Sequence, residues 1–142
     1  MSLIWTQNMS VRIKRFDDDH KELIRFVNEL QDAIQAGQAN GTIDPVEIEA
    51  VLYRMENYAS YHFAAEEAAM RNTGFPGLEG HRVEHKKFIA IVADMSDRYL
   101  GSNDVEDAGE IAQFLFDWIV DHVYQIDGKY VDHLHKHEND YK

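Results

Sequence analysis

Apolar residues recur along this chain in steps of three and four, over four separate stretches. The first stretch reads Phe16, His20, Leu23, Val27, Leu30, Ile34, and the second reads Ile48, Leu52, Met55, Ala59, His62, Glu66, Ala69. The third gives Leu78, His81, His85, Phe88, Val92, Met95, Tyr99, and the fourth gives Ile111, Leu115, Trp118, His122. That spacing is the inward stripe of an amphipathic α-helix.

Breakers bound the stripes and predict helices over 17–36, 44–71, 78–100 and 104–127. Gly37 is read as the stop of the first, and Asp44-Pro45 as an N-cap with proline at the first helical position. Asn72 to Gly77 separates the second from the third, and Gly101 is read as the stop of the third. Short loops make consecutive helices antiparallel neighbours. The expected fold is therefore all-α, an up-down-up-down four-helix bundle in one domain over 1–142. It has an N-terminal arm and a short polar C-terminal tail, in which one more helical turn has room to form.

Five histidines and one glutamate break these apolar stripes, and they break them at one level. His20 lies near the start of the first helix, and His62 and Glu66 near the end of the second. His81 and His85 open the third, and His122 lies near the end of the fourth. In an up-down bundle these helix ends are the same end of the molecule. At about 1.5 Å per residue the six groups fall within roughly two turns of one another. A buried carboxylate has to be paired or bind a cation. Five imidazoles around it cannot satisfy one another by hydrogen bonds alone, whereas a metal can satisfy them all.

Composition narrows the chemistry. The chain has 142 residues, 44% of them hydrophobic, enough for a sizeable core. It has no cysteine, so thiolate metal sites, disulfides and cysteine nucleophiles are excluded. The net charge of −12 offers no basic patch for nucleic acid. No run is long and apolar enough for a membrane span or signal peptide, so a cytoplasmic protein without membrane insertion is expected. Five nitrogens and a carboxylate are too many ligands for one tetrahedral zinc, and they fit two metals. No histidine has a glutamate three residues before it, so the Glu-x-x-His type of di-iron bundle does not apply. A His-rich centre disfavours high-valent iron and oxidative chemistry on substrates.

The motifs FDDDHKEL, HFAAEEAAM, GFPGLEGHRVEH and WIVDHVYQID occur in this order, and with Trp5 in the arm they resemble the hemerythrin family, in particular single-domain bacteriohemerythrins. The resemblance covers nearly the whole chain. It implies reversible dioxygen binding at an oxo- or hydroxo-bridged non-haem di-iron centre, for oxygen storage or delivery, without catalysis. One iron would be held by His81, His85 and His122 and the other by His20 and His62, with Glu66 and Asp127 bridging them and dioxygen bound at the two-His iron. Asp127 comes from the resemblance alone, because helical periodicity would turn Ile126 inward instead. Phe63, Trp118 and Ile119, adjacent to ligands, are expected to line an apolar oxygen pocket. Ile119 stands where many relatives have leucine.

The i+4 spacing from His62 selects Glu66, leaving Glu67 as a solvent-facing residue. Asp17, in the acidic run 17–19, is a candidate to orient His20. His133, His135 and His137 are read as part of a solvated tail. An oxygen-consuming protein is the expected partner class. Redox or iron sensing, a peroxidase or iron-oxidising activity, and metal storage are the competing functions at the same site.

Overall fold

The computed structural model describes residues 3–41, 44–102, 105–123 and 128–137. After a single 3₁₀ turn at Gln7–Met9 come helices α1 (Lys14–Asn40), α2 (Pro45–Asn72), α3 (Leu78–Ser102), α4 (Val105–Asp121) and α5 (Gly128–Lys136). Helix α1 packs against α2 and α4, and α3 packs against the same two, which makes the four-sided bundle; α5 touches α2. All residues of the four stripes are buried except Leu78, Met95 and Trp118, which are half-buried.

The helix ends differ from the expected ones for identifiable reasons. Helix α1 runs through Gly37, which is buried, and stops at Gly41 in the left-handed conformation, φ 76°. A glycine inside a helix costs only about 1 kcal/mol relative to alanine, and the packed turns around Leu30 and Ile34 offset that. Helix α3 likewise passes Gly101 and ends at Ser102. At its start α1 reaches back to Lys14, and Asp17 is not a cap of the helix but a clasp for the arm. Its carboxylate accepts from Ser10 Oγ at 2.5 Å and from the Val11 amide at 2.8 Å.

Helix α2 starts as read, with Asp44 Oδ1 accepting from the Val46 amide at 3.0 Å. It ends in a Schellman motif. The Phe75 amide donates to the Met70 carbonyl (2.9 Å) and the Gly74 amide to the Arg71 carbonyl (3.2 Å), with Gly74 at φ 67°. Phe75 packs against the buried cluster that contains Met70. Gly74→Ala is expected to lower unfolding free energy by about 1 kcal/mol, since an L side chain disfavours this conformation; urea denaturation measures it.

The C-terminal tail is a correction. It is not a solvated strand of polar residues with a single turn but the nine-residue helix α5. Tyr130 and Leu134 are fully buried and Val131 nearly so. They join Val11, Ile13, Phe16 and Met70 in a second apolar cluster, separate from the main core. Nor are its histidines free in solvent: His133 Nε2 lies 2.9 Å from the Thr73 carbonyl and His135 Nε2 3.3 Å from that of Val11. The helix thus lids one end of the bundle, the end at which the polar residues of the stripes gather.

Candidate metal centre

Each bundle helix delivers its polar stripe residues to that end. His20 comes from α1, His62 and Glu66 from successive turns of α2, and His81 and His85 from the first turns of α3. His122 follows the last residue of α4, where the chain widens into a π-helical turn. None of the six is more than 4% exposed, and His62 and Glu66 are fully buried. Their ligating atoms form two groups, each within 4.8 Å: His20, His62 and Glu66, and Glu66, His81, His85 and His122. Glu66 is common to both. Its Oε1 lies 2.6 Å from His62 Nε2 and 3.9 Å from His85 Nε2. Asp127, proposed as a seventh ligand, lies outside the described residues.

Around this cluster stand carboxylates and a phenol. Asp19 Oδ2 is 2.8 Å from His62 Nδ1, and its Oδ1 accepts from Tyr58 Oη at 2.7 Å. Burial pushes the Asp19 carboxyl upward, but hydrogen bonds from His62 and Tyr58 outweigh it and hold the group below the usual carboxylate range. Glu67 Oε2 is 2.9 Å from His85 Nδ1. Tyr130 of α5 donates a hydrogen bond to Glu66 Oε2, on the far side from His62.

Two expectations are corrected here. Glu67 does not face solvent; the α2 helix turns it toward α3, where a histidine nitrogen and Arg82 (3.4 Å) meet it. Asp17 does not orient His20, because it is engaged by Ser10 and Val11. The residue two places on, Asp19, turns inward and meets His62 instead. Asp19 was legible in principle, since it lies four residues before Leu23 on the flank of the stripe. Tyr130 was not, because the last helix carried no expected fold.

Phe63 stacks on His85 with ring centres 4.0 Å apart, and Trp118 stacks on His122 at 4.2 Å. Phe63 is also 5.5 Å from Trp118. Ile119 is 1% exposed and belongs to the main core cluster. These side chains wall the donors on the core side, while Phe16, 5.7 Å from His62, and Tyr130, 5.1 Å from His81, wall them on the α5 side.

The donor set fits a pair of metal ions. Asp19 and Glu67 stand where they can accept Nδ1–H from His62 and His85, and in that tautomer each Nε2, on the Glu66 side, is the nitrogen free to ligate a metal. Imidazole and carboxylate without thiolate suit iron and its neighbours in the first transition row. A carboxylate shared by two nitrogen groups suits a bridge between two such ions rather than one.

A histidine-rich site for two metals, held inside a four-helix bundle, defines a class of helical metal-binding protein. Comparison with known proteins places the chain within that class. The family model described as hemerythrin HHE cation binding domain matches residues 11–140. A bacteriohemerythrin of Pseudomonas aeruginosa is 32% identical over 92% of this chain and 80% of its own. One of Stenotrophomonas maltophilia is 30% identical over 98% and 86%. A crystal structure of wild-type hemerythrin superposes with TM-score 0.79 at 26% identity, covering 93% of this chain and 97% of that one. The chain belongs to the hemerythrin family, and its buried His/Glu cluster is consistent with a di-iron oxygen-binding site. Among the described residues no helix is long and apolar enough to cross a membrane.

Proposed function

We propose that this protein binds dioxygen reversibly at a non-haem di-iron centre and stores it or delivers it to an oxygen-consuming partner. His81, His85 and His122 would hold one iron and His20 and His62 the other, with Glu66 and Asp127 as the carboxylates they would share. The observation that carries this reading is the sharing of Glu66 between two buried donor groups. The ferrous pair, when bound, supplies the two electrons that reversible oxygen uptake calls on.

The chain's own residues make the uptake reversible. Phe63, Trp118 and Ile119 keep water from the donors, and Asp19 and Glu67 fix the two imidazole rings from behind. Tyr130 holds the outer oxygen of Glu66, so that the inner one stays between the nitrogen groups. Proteins of this family are oxygen carriers, and the core-side wall of Phe63, Trp118 and Ile119 carries no carboxyl or phenol to supply protons for a peroxidase-like reaction.

The test is an optical cycle. Protein loaded anaerobically with ferrous iron is exposed to oxygen, then stripped of it, with the visible spectrum recorded throughout. A charge-transfer band that appears and vanishes over repeated cycles is expected. One-way conversion to a ferric spectrum, with a donor oxidised or peroxide set free, would move the function to sensing or redox catalysis.

A further inference from the structure

Helix α4 carries five acidic residues, Glu106, Asp107, Glu110, Asp117 and Asp121, and neither lysine nor arginine. Asp117 and Asp121 are one turn apart and both exposed, so they share an outward face. Phe114 and Trp118 flank them on one side and Phe116 and Val120 on the other, all four half-buried. These six side chains line one shallow depression of about 390 Å³.

The depression meets the metal-binding cluster through Trp118. Trp118 lines the depression, and the Trp118 ring stacks on His122 at 4.2 Å with only 13° between the planes. His122 is itself 3% exposed. One aromatic ring therefore separates the acidic surface from a buried donor. On the α2–α3 side the donor His85, with Phe63 and Glu67, lines a separate depression that carries Lys86 and so presents a cation.

We propose that this face of α4 is a docking surface for a basic one-electron carrier protein, and that Trp118 and His122 carry its electrons inward. The proposal rests on the di-iron reading above, because a sealed centre that has become oxidised can be reset only by electrons from outside. The reduced carrier loses one electron and the oxidised centre gains it, with no bond made or broken; two successive encounters reset both metals. Charge decides the partner. An acidic helix on a protein of net charge −12 steers a basic surface toward it. A second copy of this chain, packed across a two-fold axis, would set Asp117 and Asp121 against the same residues and repel itself.

The experiment uses iron-loaded, oxidised protein and a basic c-type cytochrome as the probe carrier. Carbodiimide coupling, which joins carboxylates to the carrier's lysines, is expected to yield cross-links at Asp117 and Asp121. The double variant Asp117→Asn/Asp121→Asn should lose those links and be reduced about tenfold more slowly by the cytochrome at low salt, with the difference shrinking as salt rises. Trp118→Leu should keep the cross-links but slow the reduction. Links spread over acids of α1, α2 and α3, or a reduction rate untouched by the double substitution, would overturn the proposal. So would α4-to-α4 links between copies together with a dimer in sedimentation. The cross-link map is read without oxygen, so it can fail while the optical cycle succeeds, and the reverse.

Discussion

The Glu66→Ala variant is expected to retain no more than one iron per chain and to show no oxygen-dependent optical cycle. Glu66 is fully buried and, among the described residues, is the one carboxylate common to the two donor groups. Removing it takes away one of the two proposed shared carboxylates and leaves two divalent cations less well screened from each other across a low-dielectric gap. Unit like charges about 4 Å apart repel by about 4 kcal/mol at an effective dielectric near 20, and divalent ions by about four times that. The histidines alone can still bind one ion, with the larger nitrogen group of His81, His85 and His122 the stronger. Iron quantitation after gel filtration, with circular dichroism to show that the bundle is intact, measures the outcome. Two irons retained per folded chain would mean that Glu66 is not the bridge.

Removing the metal is the second large effect. A chelator acting on the loaded protein should lower the unfolding free energy by at least about 4 kcal/mol when the free ion stands at a thousand times its dissociation constant. For a chain of this size that is a fall in melting temperature of roughly 8–16 °C. The physical cause is the gathering of a carboxylate and five imidazoles, none more than 4% exposed, at one end of the core. Bound ions satisfy these groups in the folded state and not in the unfolded chain, so binding free energy appears as folding free energy. Differential scanning calorimetry at fixed free metal, with and without chelator, gives the shift. Equal melting temperatures would mean that the cluster satisfies itself and that metal adds nothing to the fold.

Much of this was legible because helical periodicity is a local property. Steps of three and four place Phe16 through Ile34 on one face whatever the rest of the chain does, and the same stepping carries His20, His62, Glu66, His81, His85 and His122 inward. The level of those residues followed from short loops and the rise per residue. Helix ends were less legible, since Gly37 and Gly101 carry a stop signal that tertiary packing overrides. Asp127 was never a matter of periodicity and came only from the resemblance.

By itself, then, the sequence determined the class of fold, the end of the bundle at which the polar groups collect, and the choice of Glu66 over Glu67. All three depend on spacing along a helix. What only the tertiary structure decided was the surroundings of those groups: Asp19 against His62, Glu67 against His85, and Tyr130 reaching Glu66 from 64 residues away. Such contacts depend on how helices rotate against one another and on where α5 folds back. A rotation of a few tens of degrees, invisible to a periodicity of 100° per residue, turns a carboxylate from solvent to a histidine nitrogen.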